Sequence, residues 1–517
     1  MNRAIAQALG TLLALLAGGA GAAPLFAPVA VPAHVYDGGW AHFVGGGLAV
    51  FDCDSDGLPE LFGAGGETPA TLLRNRSTRG GDLAFVADTP PELALTGVTG
   101  AYPIDIDSDG FLDLAILRVG PNALLRGGPD CRFAPFDDLG IDPGAGWTTA
   151  FSATWEAGQN LPTLAFGNYV DRNNPDGPFE ACDAHRLYRP DGEGYGPPIV
   201  LAPGYCALSM LFSDWGRQGR ADLRISNDRH YYVRGGQEQM WAMEDPPRLY
   251  SAAEGWRDYA LWGMGIAARD LNGDGYPDVF LTSMGDQRLQ VFEGPGPVFA
   301  DVPYEMGTTA HRPYTGGDGR PSSGWHVAFG DVENDGDDDI FIAKGNVGQM
   351  PDNAMLDPNN LLLQGPDGGF AEAGLDAGLA SLERGRGAAF VDLNLDGLLD
   401  VAVANRGAPM EVWQNATQRT GNWLAVALDQ PGPNRRAVGA WIEIDTGPRV
   451  IAREVTLGGG HAGGAAVPEH FGLGGVETVR MRVIWPDGER TDWLDIAANM
   501  AVTARRGSGE SLYATPY

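Results

Sequence analysis

Lysine is almost missing from this chain: Lys344 is the only one, and arginine supplies the rest of the 35 basic residues, against 67 acidic ones. The formal charge of -32 argues against a nucleic-acid partner, because binding phosphates needs a basic surface. Long apolar runs are lacking beyond the N-terminus, so no later stretch reads as a membrane helix. Cysteine is scarce, with four in 517 residues and no Cys-x-x-Cys pair, which excludes a thioredoxin-type redox centre. A Gly-x-Ser-x-Gly nucleophile element is also absent.

What the chain has instead is 76 glycines and 37 prolines set between short hydrophobic segments. That is the composition of a turn-rich β protein, and the interleaved apolar segments exclude a disordered chain. The N-terminus carries Arg3, an apolar run to Leu16 and a small-residue stretch ending at Ala22. Residues 1–22 therefore read as a signal peptide cleaved near Ala22, giving a secreted, periplasmic or cell-surface protein with no membrane span in the mature chain. In an oxidising compartment Cys53, Cys131, Cys182 and Cys206 allow three pairings. The short separation favours Cys182–Cys206, leaving Cys53–Cys131; four free buried thiols are the alternative.

One nine-residue pattern recurs five times: DCDSDGLPE from Asp52, DIDSDGFLD from Asp105, DLNGDGYPD from Asp270, DVENDGDDD from Asp331 and DLNLDGLLD from Asp392. Each copy lies between two short apolar segments of strand character, such as Gly47–Phe51 before and Leu61–Phe62 after the first. An EF-hand needs flanking helices, which Pro59 and Pro277 at position 8 disfavour. The gap from 105 to 270 is about three local periods, and two worn copies fill it. The copy from Asp214 to Asp222 keeps only the first and ninth acids, and the one from Trp155 to Thr163 keeps only the apolar frame. Seven β units of one length predict an all-β fold: a seven-bladed β-propeller over 35–415. After Asn415 the acidic nonapeptide stops, and alternating strands over 421–507 predict a separate small β-sandwich-like domain.

Each full loop presents oxygen ligands in the number and hardness that suit Ca²⁺, whereas Mg²⁺ prefers fewer protein ligands and more water. The candidate ligands are Asp52, Asp54, Asp56 and Glu60; Asp105, Asp107, Asp109 and Asp113; Asp270, Asn272, Asp274, Asp278 and the Tyr276 carbonyl; Asp331, Glu333, Asp335 and Asp339; and Asp392, Asn394, Asp396 and Asp400. Against them stands a plain Asx turn that needs no ion. Repetition and complete ligand sets point to about five structural Ca²⁺ sites rather than an open catalytic one.

The pattern D-x-[DN]-x-D-G-x-x-D between short strands resembles the FG-GAP or VCBS repeat of integrin-type propellers, over about residues 40–415. The C-terminal segment resembles an ASPIC/UnbV domain through Asn422-Trp423, the stretch Asn434–Ala440, Gly458–His461, His470–Gly474 and Val483–Gly488. Together the two resemble the cartilage acidic protein family. The resemblance implies a calcium-stabilised extracytoplasmic protein used in binding or adhesion, with an extracellular glycan or protein as partner.

The alternative is a polysaccharide-active, lyase-like enzyme. Its candidates are Arg229, His230, Tyr231 and Glu238, in the densest polar and aromatic cluster of the chain. A hydrogen-bond network between repeats explains the same residues. His461 and His470 flank a Gly-rich loop with no acidic metal partner nearby, so structural and ligand-contact roles both fit. A recognition surface is expected where the repeats depart from their pattern, between about 150 and 245.

Overall fold

A computed structural model of the chain describes residues 23–517 except 176, 229–232, 310–318, 349 and 508–511. The expected signal peptide, residues 1–22, lies outside the described residues. The fold is all-β. Among the described residues the only α-helix is the single turn Gly374–Ala377, and no helix is long and apolar enough to cross a membrane.

Four-stranded antiparallel units recur seven times, opened by Leu48–Phe51, Val98–Ile104, Ala145–Thr154, Ala207–Ser213, Gly263–Arg269, Gly324–Gly330 and Gly385–Val391. The second and third units are joined into one sheet where Ala145–Trp147 pairs with Val119–Pro121. In the seventh, the fourth strand comes from the other end of the chain, Phe26–Val29 on Glu411–Asn415. Each opening strand packs against that of the next unit, and Gly385–Val391 against Leu48–Phe51. The strands are apolar on both faces because both are covered, so the core forms a series of clusters between neighbouring sheets.

The register is the same throughout. Phe51 faces Glu60, Ile104 faces Asp113, Thr154 faces Thr163, Ser213 faces Asp222, Arg269 faces Asp278, Gly330 faces Asp339 and Val391 faces Asp400. The ninth position of every copy thus opens the second strand, including the worn copies from Trp155 and Asp214. Both disulfides of the favoured pairing are present, Cys53–Cys131 and Cys182–Cys206.

From Asn422 onward two further four-stranded sheets enclose one core containing Leu424, Ile442, Phe471, Met481 and Trp485. This C-terminal part sits on the end of the repeats where the acidic loops lie. Arg453 pairs with Asp338 at 2.7 Å, Arg217 with Glu443 at 2.7 Å, and the Asn434 N–H donates to Ser108 Oγ at 2.9 Å.

Residues 457–466 leave this domain and run in among the opening strands. The Leu457 carbonyl accepts from Ala153 N and Ser152 Oγ, Gly459 N donates to Met210 O, Gly460 and Ile266 exchange both bonds, Ala462 O accepts from Ala101 N, and Gly464 O accepts from Val50 N. Ala465-Ala466 then adds to Leu48–Phe51 as a parallel strand. Five opening strands thereby pair backbone groups that would otherwise be left as unsatisfied sheet edges. Gly458, Gly459 and Gly460 all have positive φ (138°, 70° and 57°), which only glycine adopts without strain.

Candidate metal loops and the opposite face

The acidic loops share one hydrogen-bond scheme. The first Asp accepts from the N–H of the glycine at position 6: Gly57 to Asp52, Gly110 to Asp105, Gly275 to Asp270, Gly336 to Asp331 and Gly397 to Asp392, at 2.6–3.2 Å. Those glycines sit at φ of 87–103°, the left-handed turn that folds the loop over its first carboxylate. The position-5 Asp caps the turn, as Asp56, Asp109, Asp274, Asp335 and Asp396 accept from the N–H two residues on, in the case of Asp274 from Tyr276. The ninth acid reaches back to the position-2 N–H: Cys53 to Glu60, Ile106 to Asp113, Leu271 to Asp278, Val332 to Asp339 and Leu393 to Asp400. With its other oxygen the ninth Asp accepts from the third strand, at Gly127, Phe292 and Gln364, and for Asp400 from Asn415 at its end.

The worn copy shares both outer bonds. Asp214 accepts from Gly219 N at 2.6 Å, and Asp222 accepts from Met243 N at 2.8 Å. Positions 1 and 9 therefore make the same turn and strand hydrogen bonds with or without acids at the middle positions. In place of those ligands, this copy has Arg217 reaching out to Gly275 O and Glu443.

Three loops gather carboxylate oxygens within 4.8 Å of one another: Asp52, Asp54 and Glu60; Asp105, Asp107 and Asp113; and Asp331, Glu333 and Asp339. In the loops at 270 and 392 the third position is Asn272 or Asn394, whose amide nitrogen donates to Asp274 or Asp396. Burial drives most of these acids up. Asp105 and Asp270 rise to about 6, Asp278, Glu333 and Asp392 to about 7, and Glu60 and Asp113 to about 8, with neighbouring acids adding to the shift. Asp331, Asp339 and Asp400 lie well above the ordinary range for the same reasons. Glu60 Oε1, Asp105 Oδ1 and Glu333 Oε2 are buried without a hydrogen-bond partner. Crowded, half-satisfied carboxylates are what a hard cation would compensate, so the residues fit Ca²⁺. Arginines share part of two sets: Arg74 pairs with Asp54, and Arg126 with Asp107 at 2.9 Å.

The FG-GAP-like repeat model matches residues 52–116 and 270–342, and the ASPIC and UnbV model matches 430–511. The chain thus carries FG-GAP-like repeats and a C-terminal ASPIC and UnbV domain. No curated protein matches it significantly. Solved structures similar to it include BBS1N in complex with ARL6DN (8% identity, 76% of this chain and 97% of that one, TM-score 0.44). Another is an Agrocybe aegerita lectin specific for non-reducing terminal N-acetylglucosamine (15%, 72% and 94%, 0.39). A third is the extracellular domain of a putative hybrid two-component system of B. thetaiotaomicron (9%, 92% and 59%, 0.40).

The ASPIC/UnbV domain settles the roles of the two histidines. His461 is fully buried at the tip of the inserted segment. Its N–H donates to His326 Nδ1 at 3.1 Å, its Nε2 accepts from Gly45 N at 3.3 Å, and its ring packs edge-on against Trp325. Burial, then the charge of Arg386, lowers it to about 3, so the imidazole is neutral. His470 bonds to Gly397 O and stacks on Trp423. Both are structural.

At the other ends of the opening strands the FG-GAP repeats leave an apolar cavity of about 200 Å³. Trp147, Tyr169, Pro178, Phe179 and Asp228 come from the stretch where the pattern decays, and Trp40, Phe43, Met264, Met284 and Met350 complete it. Trp40, Trp147 and Tyr169 meet edge to face, with centroids 4.9 and 4.8 Å apart. Tyr169 donates to Asp228 at 2.6 Å. Sequence reasoning reached the irregular units but missed Trp40 and the methionines, which are far apart in the chain and carry no local signature. Of the enzyme candidates, Arg229, His230 and Tyr231 lie outside the described residues, and Glu238 is fully buried, accepting from Asn227 N at 3.0 Å.

Proposed function

We propose that the protein is an exported binding module: a seven-bladed β-propeller reinforced by structural Ca²⁺ in up to five loops, which recognises an extracellular glycan or protein. Seven units with one hairpin register, and a last unit completed by the first strand, support a ring, since closure removes free sheet edges. The observation that carries the binding reading is the division of the two ends. The acidic loops are turned toward the ASPIC/UnbV domain, and the inserted segment fills the space among the opening strands. The aromatic cavity lies at the other end with Trp40 and Phe179 exposed, 42% and 64%. Exposed large aromatics beside a concave site are a recognition surface.

The test is a glycan array and a pull-down from extracellular material with the full chain in Ca²⁺, repeated with Trp40→Ala. A ligand retained by the wild type and lost with Trp40→Ala supports the reading. Binding that is indifferent to Trp40 moves the surface elsewhere.

A further inference from the structure

Three arginines gather beside the aromatic cavity without an acid to balance them, in a chain whose net charge is -32. Arg384 and Arg386 begin the seventh unit's opening strand, and Arg406 follows its second. None of the three has a carboxylate within 4 Å among the described residues. Arg74, Arg126, Arg217 and Arg453, by contrast, each pair with a carboxylate.

Arg386 is fully buried. It lies 4.1 Å over the Trp325 ring and spends its donors on backbone carbonyls of Phe43, Gly345, Gly385 and Asn346. Burial, and then the charge of Arg406, depresses it. Arg406 lies 4.6 Å over Phe43, a wall of the cavity, and donates to His42 O and Gly38 O through Nε and Nη2, leaving Nη1 without a partner among the described residues. The Arg384 side chain makes no hydrogen bond among the described residues. A side chain at Gly348 would begin 2.9 Å from Arg384 Nη1 and 3.3 Å from Arg406 Nη1, so the two guanidinium groups converge over a glycine next to Val347 of the cavity wall. Two guanidinium edges, one on the half-buried Arg384 and one on the buried Arg406, held together against their own repulsion form a site for an anion, which a planar oxyanion fits through paired N–H donors. Asp37 acts on Arg406 from farther away and does not occupy those donors.

We propose that this cluster binds the acidic substituent of a sugar, a carboxylate or sulfate ester, while the sugar ring lies against Trp40 and Phe43 in the adjoining cavity. The aromatic faces supply apolar contact and Arg384 and Arg406 supply charge, so the site discriminates acidic from neutral glycans. This rests on the glycan half of the function proposed above.

Calorimetric titration of the full chain in Ca²⁺ tests it with three probes: trigalacturonic acid, its carboxyl-reduced neutral analogue, and a sulfated galactose trisaccharide. The acidic probes are expected to bind at least about tenfold more tightly than the neutral one, the size of one or two charge-assisted hydrogen bonds. Which acidic probe is preferred distinguishes carboxylate from sulfate. Arg384→Gln, at a side chain with no hydrogen bond to lose, is expected to cost about tenfold for the acidic probes and nothing for the neutral one, at an unchanged melting temperature. Arg406→Gln adds to that loss. Equal binding of acidic and neutral probes, or acidic binding untouched by Arg384→Gln, overturns the inference and leaves the glycan reading standing. Failure of all three probes overturns the inference, and an array without a single hit then removes the glycan reading.

Discussion

The carbonyl oxygen of Ala462 fills the space that a side chain on Gly47 would need, 1.7 Å from its Cβ position, and lies 1.8 Å from the Cβ position of Gly100. Two opening strands are thus fitted to one backbone atom of the ASPIC/UnbV domain. Gly47→Ala and Gly100→Ala cannot be absorbed by a rotamer change, because the obstacle is backbone. Each is expected to cost about 3 kcal/mol or more and to loosen the inserted segment. Thermal melting, with limited proteolysis between 415 and 421, measures both effects; an unchanged melt would mean that the segment does not hold the two parts together.

Calcium removal should destabilise the protein. A site held at about 100 times its Kd contributes about 3 kcal/mol, and the raised, crowded acids of the loops are what the ion offsets. Melting with and without chelator measures it, and an identical midpoint would remove the metal from the account.

Asp222→Asn and Asn272→Ala separate the folding role of these loops from the ionic one. Asp222 accepts from Met243 N and from the Tyr250 hydroxyl, so its loss is expected to cost about 1–3 kcal/mol in Ca²⁺ and in chelator alike. Asn272 is bonded only within its own loop, and its loss should lower the melting temperature in Ca²⁺ alone. A chelator-dependent effect at Asp222 would assign that loop an ion after all.

Glu454 gives a pH dependence. It is buried in the domain contact, accepting from Ser213 Oγ and Asp214 N, and burial raises it to about 8. A raised carboxyl contributes stability in full below its unfolded pKa and loses it as pH rises through the folded value. Each pH unit in that window is worth about 1.4 kcal/mol. Glu454→Gln should therefore gain on the wild type by about 3 kcal/mol between pH 5 and 7.5, read from denaturant melts. A difference that stays flat across this range would place the carboxyl in contact with water.

The sole lysine is withdrawn from solvent. Lys344 is fully buried, 3.1 Å from Asp357 and 2.7 Å from Asn360 Oδ1. Amine-reactive reagents should label native protein at its N-terminal amine and reach Lys344 only after unfolding, as mass spectrometry would report.

Much of this was legible in the chain. A nine-residue spacing that survives in Trp155–Thr163 without an acid at positions 1, 3, 5 or 9 marks a hairpin constraint, and the same register appears in all seven units. Separation favoured the pairing of Cys182 with Cys206 but left four free thiols open, and the fold decides it by bringing each pair together. The aromatic cavity did not, because Trp40, Trp147 and Met350 meet only when distant units are brought side by side. Nor did the role of Gly458–Gly460, whose partners Met210 and Ile266 lie in distant repeats of the chain.

Local chemistry, repeated, was thus enough to determine an all-β chain of like units with acid-lined loops, since turn, register and ligand set are all written within nine residues. Only the tertiary structure decided which end of those units is covered and which is open. That depends on a glycine-rich segment whose backbone must find five separate strand edges at once, and on three arginines that the fold gathers with no carboxylate within 4 Å among the described residues.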